Sequence, residues 1–536
     1  MFQFNKNIYS PKIEEKDINS LLKEVDKMVL ISGDFWGIQK FIFERISTKN
    51  ASKVLRAKSA FIQIFTKYIT RYICDYFGIE EKYIISESAG KFEILIPQES
   101  VEIEDIQNKI DNYFRDNYYG INGIVLSIVK CEKEDFLNEN RYRKLRDKTI
   151  PHQIEIDRFK KFNLSKNSPL LQYKTNIDNQ SLCKICNIRK IEEEEEECCK
   201  ICKTFKELGR KLTKKEPQHF KIKDINNFEV NIPLNKQIKS YVPRDGDEPL
   251  DFGKIAQNSC KGGEEGLKTL AVLKADVDNM GKFLRDNQDI TKDFSSFNHF
   301  SQGLDSFFSE YIVDILREKD GDYRNIYTVF TGGDDLFLIG AWDETLKFAR
   351  FIRNQFREYV NNQLTISFGI AIAKPTTPIS YLAEYTEHLL EEAKDFCCIQ
   401  KEKKCIEVLE NREKICNDKS RTDIRKKDAI CLFGEIVKWD SYLDRFPILE
   451  KAFRGYKNIA TSTLYRLLDF CNMSKKVKQG DIEATIWKSK LNYLFYRNMN
   501  IDNDKNLMET LAENIEKYPK ETKMFLVEFI YKRRKA

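Results

Sequence analysis

Thr331-Gly332-Gly333-Asp334-Asp335 lies between two apolar runs, Ile326-Tyr-Thr-Val-Phe330 and Leu336-Phe-Leu-Ile-Gly340. The pattern reads as a strand, a two-glycine turn, a carboxylate pair and a return strand. Neighbouring side chains of a strand point to opposite faces, so Asp334 and Asp335 share a site only if the turn bends the chain. Gly332 and Gly333 permit that bend and let a phosphate or a base approach the main chain. Carboxylates presented this way suit divalent metal at a nucleotidyl-transfer site. An ordinary hairpin with two solvated turn aspartates has the same local sequence.

The order of elements around this turn occurs twice in the chain,. In the second half, Leu270-Ala-Val-Leu-Lys-Ala-Asp276 is a strand ending in an acid, followed by Val277-Asp278-Asn279-Met280-Gly281 and helical sequence to about Arg317. The hairpin, a helix over 344–360, a strand over 364–373 and a helix over 379–396 complete the unit. A split βαβ unit sets its two central strand ends side by side, which brings Asp276 to Asp334 and Asp335.

In the first half a strand ends at Gly33-Asp34, and a helix is expected from about Gly37. A basic turn with Arg56-Ala-Lys58-Ser59 then leads into a long helix to Phe77, before a hairpin, a helix near 103–118 and a strand over 123–129. Its turn carries Ala89-Gly90-Lys91-Phe92 where the second carries Gly332-Gly333-Asp334-Asp335. A lysine there opposes a metal cation, so the first copy reads as degenerate.

Between the copies stand Cys183-Lys-Ile-Cys186 and Cys199-Lys-Ile-Cys202, separated by a segment running from Glu192 to Glu197. Two such knuckles suit tetrahedral Zn²⁺, because each pair chelates and thiolates favour a borderline cation. Four thiolates close the site, so this zinc is expected to be structural. Cys198 can replace Cys199 in the register, and the glutamate run reads as a solvated tip. Cys397, Cys398, Cys405 and Cys416 show no ligand spacing and read as ordinary thiols.

With 536 residues, 41% hydrophobic and 32% charged, the chain suits several folded domains,. No apolar run approaches the ~20 residues of a membrane span, and no signal-peptide pattern opens the sequence, so the expectation is a cytoplasmic protein without membrane contact. A net charge of +6 is too small to indicate nucleic-acid binding by itself,. His152, His219, His299 and His388 read as surface or packing histidines; none is followed by Asp. After about 429 the pattern is helical, as in 461–470 and 487–496.

Gly33-Asp34-Phe-Trp-Gly37-Ile38-Gln39, Leu55-Arg56-Ala57-Lys58-Ser59, the double C-x-x-C, Leu273-Lys274-Ala275-Asp276-Val277-Asp278-Asn279-Met280-Gly281, Gly332-Gly333-Asp334-Asp335 and Leu432-Phe433-Gly434 occur in that order. Together they resemble the large, polymerase/cyclase-type subunit of type III CRISPR–Cas effector complexes, of the III-A (Csm) kind. The resemblance implies an α+β fold: two ferredoxin-like palm domains of the GGDEF/cyclase type, a zinc-binding insert between them and a C-terminal helical domain. The expected division is an N-terminal extension (1–27), a degenerate first palm (28–165), the zinc insert (166–230), a linker (231–264), a catalytic second palm (265–428) and the helical domain (429–536).

The resemblance also implies that pairing of CRISPR RNA with target RNA switches the second palm to making cyclic oligoadenylates from ATP. The expected partners are those RNAs, small subunits bound through the helical domain, and the subunit holding the RNA 5′ end. Asp276, Asp334 and Asp335 are the expected catalytic residues, holding Mg²⁺ or Mn²⁺ together with the Val277 carbonyl. Gly332, Gly333, Asp278, Asn279 and Lys394 are the expected nucleotide contacts; Asp278 and Asn279 serve equally well as N-caps of the following helix. The HD nuclease domain of the family's commonest pattern is not matched, so single-stranded DNA cleavage is expected to be absent. Two rival readings are a GGDEF-type cyclase using GTP and a non-catalytic RNA-binding scaffold. Against the first stand the zinc insert, the duplicated unit and Asp335 in place of Glu.

Overall fold

The computed structural model describes residues 2–16, 18–22, 27–43, 46, 51–88, 90–118, 120–161, 182–186, 189–191, 197–214, 216–222, 225, 227–234, 240–262, 265–318, 321–401, 404–407, 424–456, 459–498 and 501–534. Ala89, the 165/166 boundary, the glutamates 192–196 and residues 402–403 and 408–423 of the expected second palm lie outside the described residues.

Alternating apolar residues build the first sheet, from β1 (Lys27–Trp36), α1 (Ala51–Phe77), β2 (Ile84–Ser88), β3 (Lys91–Ile96), α2 (Glu104–Tyr118) and β4 (Gly123–Glu132). The strand order is β2-β3-β1-β4, with every pairing antiparallel. Val29, Ile31 and Phe35 join residues of α1 and α2 in the main apolar cluster. On the other face of β1, Asp34 pairs with Arg158 of the Ile150–Lys161 helix.

Arg56, Lys58 and Ser59 do not form the basic turn expected before the long helix; all three lie inside α1. The reason is burial on two sides. Arg56 and Ser59 are buried, Arg56 Nη1 donates to Gly209 O at 2.8 Å, and its guanidinium sits 5.5 Å from the centre of the Tyr327 ring of the second sheet. Tyr327 Oη in turn donates to Ser52 O at 3.0 Å.

The second sheet comprises β5 (Leu270–Val277), β6 (Ile326–Gly332), β7 (Asp335–Ala341), β8 (Ile366–Ala373), β9 (Ala429–Leu432) and β10 (Glu435–Lys438). Its strands are connected through α3 (Phe294–Ser306), α4 (Trp342–Tyr359) and α5 (Ile379–Asp395). The order is β6-β7-β5-β8-β9-β10, and its first four strands repeat the order of the first sheet. Residues 429–438 do not open the helical domain as expected: β9 joins β8 in parallel, and β10 returns through left-handed Phe433 and Gly434. All four residues of β9 are buried, as suits an interior strand covered on both faces,.

The face of the second sheet that carries Val272, Tyr327, Phe337 and Ile339 shares the main cluster with the first domain, and Phe43 meets Phe337 with ring centroids 4.6 Å apart. The opposite face packs on α3 and α4. The N-terminal extension lies on this layer, where Phe4 stacks on Tyr359 at 4.6 Å. The expected linker contains the Phe252–Gln257 helix, capped by Asp251, which accepts from Lys254 N at 2.9 Å.

Helices α6 (Trp439–Phe453), α7 (Thr461–Lys478), α8 (Trp487–Asn498), α9 (Ile501–Lys517) and α10 (Pro519–Arg533) form a bundle with its own core. A buried ion pair ties α10 to α4: Arg350 donates to Glu528 Oε2 at 2.9 Å and to Oε1 at 3.1 Å. Burial alone would raise the Glu528 carboxyl, but Arg350 and Lys532 hold it down at about 2. Among the described residues no helix is long and apolar enough to cross a membrane.

Candidate active site

The turn is built from three constraints. Gly333 is left-handed, with φ of 65°, a conformation that costs glycine little. Its N–H donates to Asp305 Oδ1 at 2.7 Å, and Asp305 Oδ2 accepts from Ser309 Oγ at 3.3 Å. On the other side Val277 N donates to Asp334 O at 3.3 Å. The turn is therefore folded over the end of β5, and Gly332 pairs with Asp335 across it.

Asp335 stands directly opposite Asp276 in the β7–β5 register, and paired residues of antiparallel strands present their side chains to the same face. The sheet thus joins two carboxylates far apart in sequence, with Asp334 beside them in the turn. Burial raises the Asp335 carboxyl, Lys274 lowers it, Asp334 raises it and Lys91 lowers it, and the net shift is upward. Lys394 of α5 forms an ion pair with Asp276; burial first, then Lys427 and Lys274, push Lys394 down to about 8.

The first domain also faces this site. The Gln39 amide, oriented to satisfy both neighbours, accepts from Lys274 Nζ at 2.6 Å and donates to Glu387 Oε2 at 3.1 Å. Lys274 itself is paired with Glu387. In the first sheet Lys91 stands opposite Asp34, so Lys91 matches Asp335 and not Asp334: the expected alignment of the two turns shifts by one residue.

Asp278 is tied into the fold. It is 2% exposed, and its carboxylate accepts from Thr365 Oγ1 at 2.8 Å, Ser367 Oγ at 2.9 Å and Asp428 N at 2.9 Å. It fastens the end of β5 to β8 and to the residue before β9. Asn279 is left-handed at the N-cap position, but its side chain makes no capping bond. Asp305 escapes the sequence reading altogether: it lies in an ordinary-looking helix, and no local pattern marks it.

The cysteine knuckles meet as expected. The sulfurs of Cys183, Cys186, Cys199 and Cys202 all lie within 4.8 Å of one another, and all four residues are buried. Cys198 is buried outside this group, so Cys199 is the ligand candidate. Cys186 raises the Cys199 thiol, Cys202 lowers it and burial raises it, and the result is pushed up to about 12. Crowded thiols that oppose one another's ionisation fit a dication, which favours the thiolates. Gly209 of the Lys200–Lys211 helix abuts Lys53, where a Cβ would lie 2.3 Å from Lys53 O. Cys397, read as an ordinary thiol, is disulfide-bonded.

Two family models match separate parts of the chain: Cas10/Cmr2, second palm domain, over residues 269–404, and Csm1 subunit domain B over residues 27–176. A relative from Methanocaldococcus jannaschii, named as CRISPR system single-strand-specific deoxyribonuclease Cas10/Csm1 (subtype III-A), is 23% identical over 89% of this chain and 68% of its own length. One of the same name from Enterococcus italicus is 25% identical over 73% of this chain, which spans only 55% of that relative's length. The fold is similar to the Csm1–Csm4 cassette in complex with one ATP (TM-score 0.66, 20% identity, 95% of this chain and 70% of that one). It is equally similar to the cassette in complex with cA4 (TM-score 0.66, 19% identity, 96% and 71%). The two models thus fall on the two sheets, and the relatives matched across both are named Cas10/Csm1 of subtype III-A, so the chain is similar to the Cas10/Csm1-type large subunit of that subtype.

Proposed function

We propose that the second sheet is a catalytic palm that joins ATP into cyclic oligoadenylates, within an RNA-guided type III-A effector complex. The observation that carries this reading is the cross-strand pairing of Asp276 with Asp335 beneath the Gly333-Asp334 turn. Oxygen donors of this kind suit Mg²⁺ or Mn²⁺, and Asp276, Asp334, Asp335 and the Val277 carbonyl would hold them. When bound, such ions neutralise phosphate charge and favour the attacking alkoxide. Each transfer bonds a ribose 3′-oxygen to an α-phosphorus and releases pyrophosphate. Gly332 and Gly333 leave room for the nucleotide, and Lys394 supplies positive charge beside Asp276.

The first sheet is a second palm that lost its metal site. Lys91 replaces the carboxylate opposite Asp34, and Arg158 neutralises Asp34. Its contribution is Gln39 and Lys91, which face the catalytic sheet. The cysteine cluster holds structural zinc. The C-terminal bundle docks partner subunits, consistent with exposed Tyr465, Ile482, Tyr493 and Tyr496. The deoxyribonuclease activity named for the relatives is not attributed to these residues, since none of the four histidines is followed by Asp.

The test is nucleotide choice. The complex, supplied with target RNA and labelled ATP or GTP, is expected to form cyclic 3′–5′ products from ATP. Products from GTP alone would replace this reading with that of a GGDEF-type cyclase.

A further inference from the structure

Arg56 carries a charge that nothing around it balances. It is 3% exposed. Its Nη1 donates to Gly209 O at 2.8 Å, whereas Nε and Nη2 have no hydrogen-bond acceptor among the described residues. The Tyr327 ring lies 5.5 Å from the guanidinium carbon, and the nearby Tyr327 hydroxyl is kept neutral by burial. No carboxylate pairs with Arg56 among the described residues. A buried cation in this state is costly unless a counter-charge reaches it.

A narrow cavity adjoins the guanidinium, between α1 and the edge strand β6. It leaves about 10 Å³ for the centre of a water-sized atom, room for one water or one small ion. Ser59, Gln63, Ser240 and Thr331 line it with hydroxyl and amide donors,, and no side-chain hydrogen bond engages these four among the described residues. Thr328 lines it too, but its hydroxyl is taken by Tyr241, accepting from the backbone N–H at 2.7 Å and donating to the carbonyl at 3.1 Å. No carboxylate contributes to the walls. Donors and one buried positive charge thus surround a space of atomic size. A monatomic anion completes such a set, whereas water would leave the charge unbalanced.

We propose that Arg56 holds a halide ion, chloride in ordinary solution, in this cavity, where it braces the junction of α1, β6 and the Lys200–Lys211 helix that carries Gly209. The site is independent of the nucleotidyl-transfer reading. Crystals grown in sodium bromide should show an anomalous peak at hydrogen-bond distance from Arg56 Nε or Nη2. In solution the melting temperature should rise saturably, by roughly 1–3 °C between 1 and 100 mM chloride, with gluconate holding the ionic strength. Arg56→Gln should remove both the peak and the chloride response. Ser59→Asp, one turn along α1, keeps the cation and supplies a carboxylate in the ion's place, so it should fold and melt without chloride dependence. Water in place of the bromide peak would overturn the proposal. So would bromide bound at crystal concentration only, with no saturable chloride response in solution, or a parent-like response in either variant.

Discussion

Replacing Asp335 with Asn is expected to lower product formation from ATP by about 10³-fold or more, equivalent to roughly 4 kcal/mol of transition-state stabilisation. The side chain keeps its shape and loses the charge that a hard cation requires. Stability should hold or rise slightly. Burial and Asp334 raise the Asp335 carboxyl above its ordinary value, and an acid raised by folding costs stability once the pH exceeds its unfolded pKa. Asn does not carry that cost. A melting temperature at or above the parent's, measured with the rate, separates loss of chemistry from loss of fold. Asp276→Asn should lose activity alike, whereas retention of activity in both variants would mean that the product arises elsewhere.

Removal of zinc should have the largest effect on stability. Structural zinc contributes on the order of 10 kcal/mol to the modules that bind it, and four buried, mutually opposed thiols gain most from a dication. Cys202→Ser is expected to abolish zinc in the purified protein and to lower the melting temperature by ~10 °C or more. The effect should spread to the proposed active site, because the Lys200–Lys211 helix packs on α1 through Gly209, and α1 supports the second sheet through Arg56 and Ser52. Cys198→Ser should retain zinc. Metal loss in Cys198→Ser with retention in Cys199→Ser would reverse the ligand choice.

Local chemistry made part of the site legible. The strand–turn–strand around Gly332 and Gly333 and the C-x-x-C spacing follow from periodicity or ligand geometry within a short window, and the repeated order of elements supplied Asp276 from a distance. What escaped depends on tertiary packing. Arg56 and Ser59 look like turn residues until a second sheet covers the helix that carries them. Asp278 sits in a motif that suggests ligand binding, yet burial and hydrogen bonds from Thr365, Ser367 and Asp428 commit it to structure. The one-residue shift between Lys91 and Asp335 is set by strand register, which similarity between degenerate turns does not fix. Asp305 reaches Gly333 N from a distant helix, and no sequence spacing announces such a contact.

In the proposed site, Asp276, Asp334 and Asp335 hold the divalent ions of nucleotidyl transfer. The decisive measurement is the anomalous signal of manganese in crystals grown with Mn²⁺ and a non-hydrolysable ATP analogue. Manganese is expected between Asp276 and Asp335, with the analogue's phosphates against it, and the signal should vanish in Asp335→Asn. Analogue bound without manganese at these carboxylates, or manganese retained in Asp335→Asn, would contradict the metal assignment.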